Sequence, residues 1–195
     1  MKKKESTLVN MVLVLLVITL ASGLSLGYVN DLTLEPKAKA QLAKKVNALK
    51  TVLPEFDNEP VSEVLRIKSD QAKDSIELYS AFQDNTFVGA AVTGVSEKGY
   101  NGLVKLMVGF GPDGKVNNIA VLEQKETPGL GTKMKSEKFL KQFRDIDPAT
   151  FSLKPEKDGG EVDALSGATI STRAFSEAVQ QAYDAYIKHK EALTQ

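Results

Sequence analysis

Nineteen consecutive positions, Leu8 to Leu26, carry no charge, and only Asn10, Thr19, Ser22 and Ser25 among them are polar. That is close to the ~20 apolar residues a helix needs to cross a bilayer. The run predicts a retained transmembrane anchor; the competing reading is a cleaved signal peptide, for which Ala21-Ser22-Gly23 would be the small-residue site. From Lys37 to Leu53 the pattern changes. Ala40, Leu42, Ala43, Val46, Ala48, Leu49 and Val52 recur at three- and four-residue spacing, and Lys37, Lys39, Lys44, Lys45 and Lys50 occupy the other face. This predicts a second, amphipathic helix just outside the membrane, closed by Pro54. The spacing then shortens to that of strands over Ser75–Phe82, Thr86–Val95, Leu103–Phe110 and Val116–Leu122, with Asp84-Asn85, residues 97–102 and Gly111-Pro112-Asp113-Gly114 as turns. Helical spacing returns briefly over Ser136–Phe143 and at length over Thr172–Glu191, where Phe175, Ala178, Val179, Ala182, Tyr183, Tyr186 and Ile187 form a core stripe.

This order predicts an α+β fold: an N-terminal transmembrane helix followed by one domain with an antiparallel sheet, its helices covering one face. The organisation expected is a cytoplasmic N-terminus and anchor over 1–28, a membrane-proximal helical linker over 29–60 and the domain proper over 61–195. Residues 109–114 match a dinucleotide fingerprint letter for letter, but that fingerprint must open a helix and here precedes a strand, so Pro-Asp-Gly is read as a hairpin turn.

Charge and composition narrow the function. Lys+Arg and Asp+Glu each number 25, and no basic patch is interleaved with aromatics, so nucleic acid is not an expected partner. Lys2, Lys3 and Lys4 precede the apolar run, which by the positive-inside rule keeps the N-terminus in the cytoplasm and sends the domain to the outer side. With no cysteine, disulfides, thiolate-held iron–sulfur clusters and haem thioethers are excluded. The single His189 has no companion at ligand spacing, so no metal is expected.

One stretch has the makings of a site. Asp163-Ala164-Leu165-Ser166-Gly167-Ala168-Thr169 crowds small and hydroxylated residues ahead of the last helix. A helix N-terminus with little side-chain bulk before it admits a phosphate, and Ser166, Thr169, Ser171 and Thr172 supply hydroxyls that can cap the helix, donate to a phosphate oxygen or be esterified by one. A plain capped loop-to-helix junction is the other reading. Glu126-Thr127-Pro128-Gly129-Leu130-Gly131 is either a surface Pro-Gly turn or a backbone-lined wall against which a planar ring can lie.

Both stretches, in this order, resemble the FMN-binding domain found in the G subunit of the Rnf electron-transport complex and in the related C subunit of the sodium-pumping NADH:quinone reductase. The resemblance extends through the apolar N-terminal segment and most of the chain. It implies FMN joined covalently by a phosphodiester to Thr169, the last residue of Ser-Gly-Ala-Thr, installed by a flavin transferase that uses FAD. It implies cofactor contacts at Asp163, Ser166, Gly167, Ala168, Glu126, Thr127, Gly129, Leu130 and Gly131, with Lys133 near the flavin's polar edge. The function it implies is that of a redox subunit without acid–base machinery of its own, single-pass in the cell (inner) membrane. Its partners would be the other membrane subunits of an Rnf-type complex (A, B, C, D and E types) and the lipid bilayer, and the complex would couple ferredoxin/NAD electron transfer to Na+ or H+ translocation. The alternatives are the quinone-reductase subunit and, from another class, an unflavinylated single-span protein whose exported domain only binds partners.

Overall fold

The computed structural model describes residues 7–68 and 75–194. The chain divides into two compact units, one ending at Ala43 and the other beginning at Lys44. The first is helical. Helix α1 runs unbroken from Leu8 to Val52 and contains Pro36, so the two helices expected from the sequence are a single element that tolerates a proline lacking an amide donor. Its apolar stretch is the one segment among the described residues long and apolar enough to cross a membrane. Two of its four polar side chains bond within the helix: Thr19 Oγ1 donates to the Leu15 carbonyl at 2.9 Å and Ser25 Oγ to that of Ala21 at 2.8 Å. Lipid offers no other partner to such groups. The lysines at 2 to 4, on which the sidedness expectation rests, lie outside the described residues.

In the second unit five strands, β1 (Leu65–Lys68), β2 (Ser75–Gln83), β3 (Thr86–Gly99), β4 (Gly102–Phe110) and β5 (Val116–Gln124), form an antiparallel meander in sequence order. The turn chemistry explains the connections. Asp84 and Asn85 are both left-handed, with φ of 50° and 59°, as a two-residue hairpin turn compatible with strand twist demands. Gly99 pairs with Gly102, which leaves Tyr100 and Asn101 as the tip of the β3–β4 hairpin. The Gly111 amide closes the next turn on the Lys115 carbonyl at 2.9 Å. Then come a 3₁₀ turn at Gly131–Lys135, the short helix α2 (Glu137–Leu140) capped by Ser136, two further 3₁₀ turns, and the long helix α3 (Thr169–Leu193).

The sheet is covered on both faces, not on one as expected. On one face Leu78, Val92, Leu106, Val108 and Phe110 pack with Phe175, Ala178, Val179, Ala182 and Tyr186 of α3. On the other, Tyr79, Ala81, Ala91, Met107 and Leu122 pack with Ala48, Leu49, Val52 and Leu53 at the end of α1. Two glycines let these helices approach so closely. A Cβ on Gly94 would meet the Ala178 carbonyl oxygen at 1.9 Å, and one on Gly109 would meet that of Val52 at 1.9 Å. Glycine inside a strand marks such close backbone approach. Phe139, Phe143 and Phe175, with ring centroids 4.9 to 5.4 Å apart, lock the α2 region onto α3.

Candidate functional site

Two loops and one hairpin tip converge at the N-terminus of α3. The helix begins at Thr169, three residues earlier than its apolar stripe indicates, and its N-cap is Ala168, which offers no side-chain acceptor. The first helical backbone bond runs from the Thr172 amide to the Ala168 carbonyl at 3.0 Å, so the amides of the preceding turn face forward, as at any helix start. An uncapped N-terminus of this kind favours an anion.

The structure separates the four hydroxyls that the sequence left equivalent. Thr172 is fully buried; its Oγ1 accepts from the Leu165 amide at 3.1 Å and donates to the Ala168 carbonyl at 3.0 Å. Ser171 is buried and donates to Glu126 Oε2 at 2.6 Å. Ser166 and the half-buried Thr169 make no side-chain hydrogen bond among the described residues. Thr169 thus offers a reachable oxygen at the helix mouth. Gly167, just before it, has a φ of +73°, and a Cβ there would sit 3.4 Å from Leu130 Cδ2, so the Ser-Gly-Ala-Thr turn and the 126–131 loop touch across this point.

The resulting cleft, about 510 Å³, is lined by Tyr100, Glu126, Thr127, Leu130, Gly131, Gly167, Ala168, Thr169, Ile170 and Ser171. Its size lies within the usual range for small-molecule sites. Leaving α1 aside, five large hydrophobic side chains are exposed among the described residues: Leu65, Tyr100, Leu130, Ile170 and Ile187. Three of the five rim this cleft, an arrangement that suits a flat apolar ring. The residues therefore fit FMN at both ends: open helix amides and a hydroxyl for the phosphate, apolar walls for the isoalloxazine.

Glu126 forms the floor. It is 5% exposed, and its Oε1 accepts from the Asn101 amide at 3.3 Å while Oε2 takes the Ser171 hydroxyl. Gly131 packs directly against it, since a Cβ there would lie 2.7 Å from Oε2.

Of the residues implied by the resemblance, Glu126, Thr127, Leu130, Gly131, Gly167, Ala168 and Thr169 are brought together. Gly129, exposed at φ +78°, does not line the cleft. Its amide donates to Thr132 Oγ1 at 3.0 Å and that of Leu130 to the Thr127 carbonyl at 3.2 Å. These two donors close the loop on itself instead of facing a ring edge. Asp163, Ser166 and Lys133 line a second cleft of about 730 Å³ with Lys138 and Lys141. There the Gln142 side chain pairs with the Asp163 backbone, accepting at 2.8 Å and donating at 3.3 Å. Tyr100 and Ile170 are cleft residues that sequence reasoning missed. An aromatic at a two-residue hairpin tip and an apolar residue in a first helical turn are both out of place in solvent, and that was the available signal.

Comparison with known proteins bears on this geometry. The FMN-binding domain family matches residues 99–184, a span that holds every cleft residue. The chain is 31% identical to the G subunit of the ion-translocating oxidoreductase complex of Aliivibrio fischeri, with 94% of this chain and 91% of the relative covered. It is 33% identical to the protein of the same name from Methanosarcina acetivorans, with 96% and 97% covered. Among solved structures, the crystal structure of Shewanella oneidensis NqrC superposes with a TM-score of 0.50 at 22% identity, covering 67% of this chain and 70% of that one. This likeness speaks to the fold alone.

Proposed function

We propose that this chain, which belongs to the family of ion-translocating oxidoreductase complex G subunits, is the membrane-anchored flavin electron-transfer subunit of such a complex. The observation that carries the reading is the cleft at the mouth of α3, where an unengaged Thr169 hydroxyl and open helix amides share one space with the exposed apolar rim of Tyr100, Leu130 and Ile170. FMN bound there supplies the one- and two-electron chemistry, for which the side chains of this domain have no substitute. The chain's own residues bind and orient. The first turn of α3 neutralises the phosphate through its amides and dipole, Gly167 keeps the approach to Thr169 free of side chain, and Leu130, Tyr100 and Ile170 shield the ring from water.

The same reading makes the attachment covalent. Thr169 Oγ1 attacks the flavin-side phosphorus of FAD, a Thr–O–P bond forms as the P–O–P bond breaks, AMP leaves, and the hydroxyl proton passes to a base of the flavin transferase. Ser171 and Thr172 are buried and engaged, which supports Thr169 over them. The domain lies on the outer side of the membrane, its electrons come and go through neighbouring membrane subunits, and the complex moves Na+ or H+. The test is co-expression of the full chain with a flavin transferase, followed by in-gel fluorescence of the denatured protein. A fluorescent band at the size of the chain is expected; a dark band with ample protein overturns the covalent reading.

A further inference from the structure

We infer that Glu126 is a positioning residue that sets the flavin's reduction potential, acting as a fixed negative charge in the floor of the cleft. The inference rests on the reading of that cleft as the FMN site. The observation behind it is a buried carboxylate without a cation: among the described residues Glu126 has no ion-pair partner, only the Ser171 hydroxyl and the Asn101 amide as donors. Both oxygens are engaged by these donors.

Among the described residues, no basic side chain of the neighbouring segments pairs with Glu126. Lys98 on β3 pairs with Glu177, Arg173 on α3 pairs bidentately with Asp158 at 2.6 and 2.7 Å, and Lys133 lines the second cleft. Lys125, the chain neighbour, is exposed. The charge is answered by neutral dipoles and by the positive end of α3.

It is also closely packed. Gly99 and Gly131 press on it from two sides, each so near that a Cβ would lie within 2.6 to 2.7 Å of a carboxylate oxygen. The carboxylate ties the hairpin tip that carries Tyr100 to the helix turn that carries Ile170, so one group both shapes the rim and charges the floor. Reduction adds electron density to a ring held in apolar surroundings, where a nearby fixed charge is weakly screened. A negative floor therefore favours the oxidised cofactor and keeps the potential low.

The test is redox titration of the purified, flavin-loaded full chain. Glu126→Gln keeps the shape and removes the charge, and should shift the equilibrium at least tenfold toward the reduced flavin, about 59 mV for a one-electron step. Ser171→Ala keeps the charge and removes a donor that disperses it, and should shift the potential the opposite way. A site that had merely loosened would move both variants in the same direction, and that result, or equal potentials for wild type and Glu126→Gln, overturns the inference. Should Glu126→Gln fail to load flavin, Ser171→Ala decides alone: a lowered potential supports the fixed charge and any other result removes it. A wild-type chain that carries no flavin overturns the reading of the cleft, and this assignment falls with it.

Discussion

The Leu165 amide donates to Thr172 Oγ1 at 3.1 Å, and that same hydroxyl donates to the Ala168 carbonyl at 3.0 Å. One fully buried side chain thus bolts both ends of the Ser-Gly-Ala-Thr turn to the first turn of α3, and the place of Thr169 at the helix mouth follows from it. Thr172→Val is nearly isosteric but strips the bolt of its polar atoms, leaving the buried Leu165 amide unpaired at a cost of about 1–3 kcal/mol. The variant should melt at lower temperature by circular dichroism and take up flavin more slowly than wild type, although Thr169 is untouched. Unchanged stability and uptake would show that the turn is held by other means.

On the opposite face of the sheet Glu77, 6% exposed, receives Lys45 Nζ at 2.9 and 2.6 Å and the Tyr79 hydroxyl at 2.8 Å. Burial pushes its carboxyl up, but the hydrogen bonds from Lys45 and Tyr79 and the charges of Lys45 and Lys105 outweigh that and hold it below the ordinary carboxylate value. A carboxyl depressed by folding contributes stability that is fully present above its unfolded pKa, about 4.3 for Glu, and is lost as pH falls through the lower folded value. Denaturant unfolding at a series of pH values should therefore show stability declining below about pH 4, and Glu77→Gln should remove part of that decline. Equal slopes in the two proteins would place the acid sensitivity elsewhere.

Sidedness can be read directly because the chain has no native cysteine. Single substitutions Lys3→Cys and Lys188→Cys, treated in intact cells with a membrane-impermeant maleimide, give an answer without background labelling. The orientation that the positive-inside rule predicts from the lysines at 2 to 4, N-terminus inside, requires that Lys188→Cys react and Lys3→Cys be protected. The reverse pattern would put the flavin domain on the cytoplasmic side.

Much of this architecture was legible in the sequence, and the departures have physical reasons. β3 and β4 read as nearly continuous apolar runs, from Phe87 to Val95 and from Leu103 to Phe110, where a half-buried strand would alternate. Such runs belong to a sheet buried on both faces, and Gly94 and Gly109 each mark a helix lying against the backbone. The expectation of one covered face overlooked both signs. β1 was missed because Leu65-Arg66-Ile67-Lys68 is too short for its alternation to stand out. α3 starts ahead of its apolar stripe because Thr169 and Ile170 are helical without being core. At the site, both motifs read from the sequence supply residues to one cleft. Only the fold could show that Lys133, Asp163 and Ser166 face a different one, since a residue's side of a loop depends on backbone torsions that composition does not encode.

Peptide mass spectrometry of the co-expressed full chain reads out whether Thr169 Oγ1 carries the flavin. Trypsin cutting after Lys157 and Arg173 releases Asp158–Arg173, which holds all four hydroxyls of the site, Ser166, Thr169, Ser171 and Thr172. The expected result is this peptide heavier by one FMN less one water, with fragment ions assigning the added mass to Thr169, and no such addition in Thr169→Ala. An unmodified wild-type peptide, or an addition at Ser166, Ser171 or Thr172, would contradict it.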